Sequence, residues 1–425
     1  MINLALLREN PQAFTAAAKE KGFKVDIEKF LELDKAFREK KNKFEELRAL
    51  QNKFNKELPK IKDPAEKEQK LSQMKKLAQQ VKALEEEVQV LKRSHLEEWL
   101  KIPALPSPDT PKGESEEENV EVFKKGEIPS FSFKAKDHLE IGKELSLIDI
   151  ERGVKISGTR HYFLKGKGVA LHRAVLQLSL DFLTEKGYTL LEPPHIVGRE
   201  AMEGTGYFPW GREQAYKLDE EREFYLIGTS EVPLCAYYKD EILQEEELPI
   251  KFAACTPCYR REAGSYGKDV RGLYRLHQFY KVEQVIICRD DLEESNTYHQ
   301  ELLDNACRIV EALELPYRVV QCCTGELGLG QYKKHDVECW MPSRNSYSET
   351  HSCSTMLDFQ ARRLKLRYRT KNKEKRLCFT LNSTSIASPR ILIPLLEVHQ
   401  KEDGSVYLPK AIRKYLGEAD KIAKN

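Results

Sequence analysis

A chain of 425 residues with 40% hydrophobic content is long enough for two or three domains with a substantial core. Its 70 basic and 68 acidic residues leave a net charge of +2, so no overall polycation marks it for nucleic acid, and any RNA contact must use local patches. No apolar run reaches the roughly 18 residues of a membrane span, and Met1-Ile2-Asn3-Leu4 opens no signal sequence, so a cytoplasmic protein with no membrane partner is expected.

From Asp26 to Ile61 and from Pro64 to Ile102 the sequence is highly charged, lacks glycine and carries apolar residues at alternating spacings of three and four. That spacing predicts two long amphipathic helices, with seams of Phe30, Leu33, Phe37, Phe44 and Leu47 in the first and Met74, Leu77, Val81, Leu84, Val88 and Leu91 in the second. Between them, Asp63 suits an N-cap and Pro64 the first helical position, which makes an antiparallel hairpin with arms of roughly 50 to 55 Å. Heptads alone equally describe an oligomerisation coiled coil. A helix pair that folds back on itself, however, satisfies its own seam and leaves its outer faces for a long, rigid partner. Lys40, Lys41, Lys43, Lys75, Lys76, Lys92 and Arg93 are candidates for phosphate contact, or else charges of a solvated face.

Four prolines between Pro103 and Pro111, then an acidic tract through Asn119, mark a boundary. Beyond it, aromatic and β-branched residues rise and strand-like runs alternate with helical ones, as in an α+β domain on a mainly antiparallel sheet. Gly168 to Phe182 has helical periodicity, stopped at Gly187 before a strand from Thr189 to Pro194. Gly228-Thr229-Ser230-Glu231 follows the strand Phe224 to Ile227. There Thr229 and Glu231 would share one side of an extended turn and receive the ammonium and polar groups of a small amino acid, or Thr229 or Ser230 would simply cap a helix.

Cys255-Thr256-Pro257-Cys258 lacks a second Cys/His pair at zinc spacing, so the ten cysteines, all beyond residue 230, read as reduced structural thiols. Next come two alternating segments, Tyr259-Arg260-Arg261-Glu262 and Arg275-Leu276-His277-Gln278-Phe279-Tyr280-Lys281-Val282-Glu283, around a connection from Gly264 to Gly272 that carries Lys268, Asp269 and Arg271. If both are strands, Arg260 and Glu262 share a face, as do Arg275, Phe279 and Glu283. A surface of that kind suits ATP, with Arg260 forked onto the α-phosphate, Phe279 stacked on adenine and Arg275 reaching the outer phosphates. Arg-x-Glu alone is equally a surface ion pair worth about 0 to 1 kcal/mol. Downstream, Glu349 and Ser352 offer the oxygen ligands that Mg²⁺ takes beside nucleotide phosphates, and the intervening His351 reads by itself as a hydrogen-bonded structural residue. Asn382 to Arg390 then enters the apolar run Ile391 to Glu397.

Together these segments resemble the class II aminoacyl-tRNA synthetases, and the seryl-tRNA synthetase family in particular. The likeness runs from Met1-Ile2-Asn3-Leu4 through Tyr415-Leu416-Gly417 and is carried by Arg260-Arg261-Glu262, His277-Gln278-Phe279, Lys281-Val282-Glu283 and Thr229-Ser230-Glu231. It implies a tRNA-binding helical arm over 1–105 and a class II catalytic domain over 106–425. Motif 1 would lie at about 168–194 and supply a homodimer interface, with motif 2 at about 258–283 and motif 3 at about 382–397. It further implies serine activation by ATP with Mg²⁺, followed by transfer to the 3′ end of serine tRNA, whose long variable arm the hairpin grips.

By the same resemblance Arg260, Glu262 and Arg390 are catalytic. ATP is held by Arg260, Glu262, Arg275, Leu276, Phe279, Glu349, Thr350, His351, Ser352 and Arg390, L-serine by Thr229, Ser230, Glu231, Arg260, Glu283 and Thr384, and the metal by Glu349 and Ser352. Two departures stand out. His351 replaces the first serine of Glu-x-Ser-Ser, and Ser383, Thr384, Ser385 and Ser388 stand where many relatives carry a glycine-rich turn. They motivate one rival, an inactive synthetase-like RNA-binding or scaffold protein. Another is seryl transfer to a non-tRNA acceptor, in which the long arm would not be expected.

Overall fold

The computed structural model describes residues 1–219, 221–264 and 271–424. They form two compact units, one of Ile2–Lys19 with Phe23–Ile102, the other of Met1, Glu20–Gly22 and Pro103–Asn425.

In the first unit two short helices, α1 (Leu4–Glu9) and α2 (Pro11–Glu20), precede α3 (Ile27–Glu57) and α4 (Pro64–Trp99). At a rise of 1.5 Å per residue, α3 with 31 residues and α4 with 36 run about 46 and 54 Å. Asp26 caps α3 through Lys29 N, and Asp63 caps α4 through Ala65 N with Pro64 at the first helical position. The helices lie antiparallel, as cross-pairs Lys40–Glu87 at 2.5 Å and Lys70–Glu57 at 3.1 Å require. Leu77, Val81, Leu84 and Val88 are buried along the seam, whereas on α3 only Phe30 of the expected apolar set is fully covered.

Near the hairpin base the buried Asp34 receives Arg8 through two bonds of 2.8 Å, Arg38 at 3.0 Å and His95 at 3.0 Å. Burial pushes its carboxyl up, and these donors more than reverse that, bringing it down to about 2. This contribution to stability is therefore complete above the ordinary carboxylate range, near pH 4, and is lost as pH falls toward 2.

The second unit is built on eight strands: β1 (Val120–Lys125), β2 (Thr189–Leu190), β3 (Ile250–Tyr259), β4 (Gln278–Cys288), β5 (Tyr317–Gln321), β6 (Lys333–Met341), β7 (Ser346–Leu357) and β8 (Phe379–Ser388). Their order is β1-β5-β6-β7-β8-β4-β3-β2, antiparallel throughout except where β2 pairs with β3. The helices that position the site are α5 (His138–Glu144), α6 (Lys167–Glu185), α7 (Glu231–Ala236), α8 (Leu292–Ala312), α9 (Phe359–Leu364) and α10 (Leu392–Val398). Leu171 and Val175 of α6 and Leu302 and Val310 of α8 pack with Val282, Ile286 and Leu381 of the sheet in one apolar cluster. Burying side chains of this size stabilises by about 1.5 to 3 kcal/mol each relative to exposure.

The strand expected from Thr189 to Pro194 stops at Leu190, because Pro193 and Pro194 have no N–H to extend a ladder. All ten cysteines are free thiols. No helix among the described residues is long and apolar enough to cross a membrane.

Candidate active site

The β3–β4 pair supplies the first wall. Arg260 and Glu262 were expected on one strand, but β3 ends at Tyr259. Arg260 N still reaches His277 O at 3.0 Å, whereas Arg261 N turns to Gln214 O at 2.9 Å, and the Gln214 side chain brackets Ala263, its Oε1 accepting from Ala263 N at 3.1 Å and its Nε2 donating to Ala263 O at 2.8 Å. With its hydrogen bonds diverted to another segment, the chain leaves the sheet, and Glu262 takes a positive φ of 51°. Arg260 and Glu262 nevertheless both line the same cleft. Arg275 also precedes its strand instead of sharing it with Phe279. It reaches the site by donating to Glu262 Oε2 at 2.8 Å. Lys268 and Asp269 lie outside the described residues.

Arg260 donates through Nε to Gly228 O at 3.2 Å, and its guanidinium lies 5.3 Å from the centre of the Phe279 ring. Opposite stands Arg390, between the end of β8 and α10, donating through Nε to Tyr274 O at 3.0 Å and through Nη1 to Glu349 O at 3.3 Å. Tyr274 is itself stacked between Arg390 and Arg344, 4.4 and 4.0 Å from its ring centre, and its hydroxyl donates to Glu349 O at 3.2 Å. Leu276, Phe279, Glu349, Thr350, Ser352 and Thr384 complete the expected residues on the cleft wall.

Glu349 and Ser352 sit on β7. Burial raises the Glu349 carboxyl, and the nearby cations Arg390, Lys334, Arg260 and Arg275 outweigh it, holding the group below the ordinary range and therefore ionised at neutral pH. Across the ladder from Ser352, the buried Asp336 has an Oδ1 with no hydrogen-bond partner among the described residues. The ionised Glu349 carboxylate and the Ser352 hydroxyl on the cleft wall are oxygen donors of the kind a hard divalent cation takes beside nucleotide phosphates, so these two residues fit Mg²⁺.

His351 does not line the cleft. Strand alternation turns it from Ser352 into the interior, where Nδ1 bonds Thr350 Oγ1 at 2.8 Å. Burial brings it down to about 4, so it is neutral at physiological pH.

The expected serine-binding residues gather beyond Arg260. Across β4 and β8, Glu283 stands directly opposite Thr384. Glu283 is fully buried, ion-paired with Lys281 and accepting from Asn382 Nδ2 at 3.1 Å. Thr229 does not lie with Glu231 on an extended turn. Glu231 opens the short helix α7, whose N-cap residue, the buried Ser230, makes no side-chain capping bond; the Glu231 N–H donates instead to Thr229 Oγ1 at 3.2 Å. The Glu231 carboxylate accepts from Gln360 Nε2 at 2.7 Å, and Thr380 donates to Gln360 Oε1 at 2.6 Å. Burial and the neighbouring charge of Glu283 push Glu231 up to about 7.

Sequence reasoning left Lys281, Tyr274, Gln360 and Asn382 out of the site. The first had a readable signal, since Phe279, Lys281 and Glu283 alternate on one face of β4. Asn382 likewise stands two residues before Thr384 on β8 and Tyr274 stands next to Arg275, whereas Gln360 is joined to the site only by tertiary contacts.

Two family profiles match this chain, the seryl-tRNA synthetase N-terminal domain over residues 1–106 and the tRNA synthetase class II core domain (G, H, P, S and T) over residues 215–399. A serine–tRNA ligase of Deinococcus radiodurans is 43% identical over 417 residues, 98% of each chain. The chain belongs to the seryl-tRNA synthetase family. A second family member, from Geotalea uraniireducens, is 42% identical over 427 residues and all of both chains. The crystal structure of seryl-tRNA synthetase from Pyrococcus horikoshii, complexed with ATP, superposes with a TM-score of 0.90 at 34% identity over 100% of both chains. The cytoplasmic serine–tRNA ligase of Naegleria fowleri, in complex with AMP, gives 0.84 at 29% identity over 98% of this chain and 96% of that one. The sequence resemblance and the fold therefore agree on one family and on an α+β core with a mainly antiparallel sheet.

Proposed function

We propose that this protein is a serine–tRNA ligase, which activates L-serine with ATP and transfers it to the 3′ end of serine tRNA. One observation carries the reading: Arg260 and Arg390 line one cleft beside the buried polar group of Glu231, Glu283 and Thr384. In the first step a serine carboxylate oxygen attacks the α-phosphorus of ATP in line, forming seryl-adenylate as the bond to pyrophosphate breaks. No proton needs to move. The residues bring two anions together and stabilise the charge spreading over the phosphoryl oxygens, Arg260 at the α-phosphate, Arg275 and Arg390 at the outer phosphates. Phe279 stacks on adenine, and Glu262 orients the nucleotide or the incoming RNA end. Mg²⁺, when bound, offsets phosphate charge, and Glu349 and Ser352 would hold it. In the second step a terminal ribose hydroxyl of tRNA attacks the adenylate carbonyl and AMP leaves.

Specificity follows from burying hydroxyl partners. Alanine would leave groups among Thr229, Glu231, Glu283 and Thr384 unpaired, a situation that lets sites reject the lacking analogue by roughly 10⁴ to 10⁵. Glu231 supplies a pH signature. With its proton retained up to about 7, it becomes a partner for the serine ammonium only as pH rises through that value. The KM for serine should therefore fall between pH 6 and pH 8, and Glu231→Gln should flatten that slope. A slope that persists in the variant removes Glu231 from the role.

The helical unit would grip the tRNA, since Lys43, Lys75, Lys76, Lys92 and Arg93 are exposed along it. A homodimer is supported by the exposed apolar residues Ile156, Phe163 and Leu190 around the segment expected to form the interface. Ten free cysteines favour a reducing, cytoplasmic location.

Pyrophosphate exchange with serine, threonine, alanine, cysteine and glycine, followed by charging of serine tRNA, tests the reading. Exchange with serine alone plus charging is expected. No exchange by folded protein would favour the scaffold, and exchange without charging would favour a different acceptor.

A further inference from the structure

The nucleotide site is braced by a buried pair that none of the proposed catalytic contacts uses. Glu397, in α10, is fully buried and collects four donors: His138 N at 3.0 Å, His138 Nδ1 at 2.8 Å, Ser343 N at 2.9 Å and Ser343 Oγ at 2.8 Å. With its proton on Nδ1, His138 has Nε2 free to accept, and Leu273 N donates to it at 3.3 Å. Gly272 fits beneath the ring because it has no Cβ, which would stand 2.6 Å from Nε2. Just before it, Arg271 pairs with Asp137 at 3.1 Å, and just after it come Tyr274 and Arg275. Glu397 thus ties three pieces together: the helix that follows Arg390, the turn that carries Arg344 and, through His138, the chain that presents Tyr274 between those two arginines.

We infer that His138 and Glu397 are positioning residues for nucleotide binding, a relay that fixes the return limb of the β3–β4 connection against α10 so that Arg275 and Arg390 face the same phosphates. The consequence for ATP rests on the activity proposed above. The mechanical claim does not. The relay needs one side chain with a donor near Cβ and an acceptor two atoms farther out, which imidazole supplies and no amide does. Asparagine can donate to Glu397 but falls short of Leu273, whereas glutamine can place an acceptor near the former Nε2 and loses the Glu397 bond.

The test compares His138→Asn with His138→Gln in the full chain by deuterium uptake at the Leu273 amide and by the KM values of serine-dependent pyrophosphate exchange. His138→Asn should speed uptake at Leu273 and raise the KM for ATP about fivefold, the size of one lost hydrogen bond, while the KM for serine stays within about twofold. His138→Gln should restore slow uptake at Leu273, where it returns an acceptor, while the KM for ATP stays raised because the bond to Glu397 is lost. A residue that merely fills space would make the two variants alike. That result, or unchanged uptake at Leu273 in His138→Asn, overturns the inference. If wild-type protein shows no exchange, the proposed function fails while the deuterium comparison still decides the relay. Should His138→Asn not fold, His138→Gln decides alone: uptake at Leu273 close to wild type is expected, and clearly faster uptake there overturns the inference.

Discussion

Arg260→Ala should lower serine-dependent pyrophosphate exchange by about 10² to 10³ in kcat while the protein remains folded. The magnitude is that of removing one preorganised charged donor from a site where negative charge spreads in the transition state. No obvious substitute exists, because Arg275 is already engaged with Glu262, and Arg390 is committed to Tyr274 and Glu349 across the cleft. Retention of the fold follows from what else the side chain does. It makes one hydrogen bond to Gly228 O and one ring contact with Phe279, each worth about 1 kcal/mol, against a total stability of about 5 to 15 kcal/mol for a domain. Arg260→Lys should recover only part of the rate, since an ammonium keeps the charge and loses the planar fork. Exchange rates, with thermal unfolding as the control, check this. Normal exchange in a folded Arg260→Ala variant would remove Arg260 from the chemistry.

The elements most legible in the sequence are those whose signals are local. Asp63-Pro64 fixes where α4 begins because a side-chain acceptor and a locked φ act within a few residues of one another, and the spacing of Leu77, Val81, Leu84 and Val88 gives both helix and buried face. The α3 seam was less faithful, since Leu33, Phe37, Phe44 and Leu47 stay only half-buried. The site shows the opposite case. Alternation placed Arg260 and Glu262 on a strand, and a tertiary contact prevailed: Gln214, far away in sequence, captures the backbone at Arg261 and Ala263. The two side chains still reach one cleft, by a turn instead of a pleat. Glu283 and Thr384 face each other only because β4 and β8 pair in one register, with a shift between Val282 and Glu283 that period-2 reasoning does not contain. His351 looked exceptional as a departure from a family pattern. Its position on β7 turns it inward, so the departure falls on the packing beneath the cleft.

Shortening the hairpin should separate the two half-reactions. Removing residues 44–83 and closing the gap with a brief glycine-serine turn joins α3 and α4 where they already run side by side, leaving the Lys40–Glu87 pair and the Asp34 cluster intact. The catalytic unit keeps its own apolar cluster and every residue of the cleft, so serine-dependent exchange should stay within about twofold of wild type. Charging of serine tRNA should fall by about 10² to 10³ in kcat/KM, because the deletion takes away Lys75 and Lys76 together with most of the surface along which a duplex would lie. Salt supplies an independent readout. Each cation that meets a phosphate contributes about one unit to the slope of log kcat/KM against log salt, so the shortened protein should show a shallower slope as well as a lower value. Replacing Lys75 and Lys76 by alanine within the full-length arm should reproduce part of both effects without altering the helices, since alanine is the stronger helix former. Normal charging by the shortened protein would mean that the hairpin serves something other than RNA.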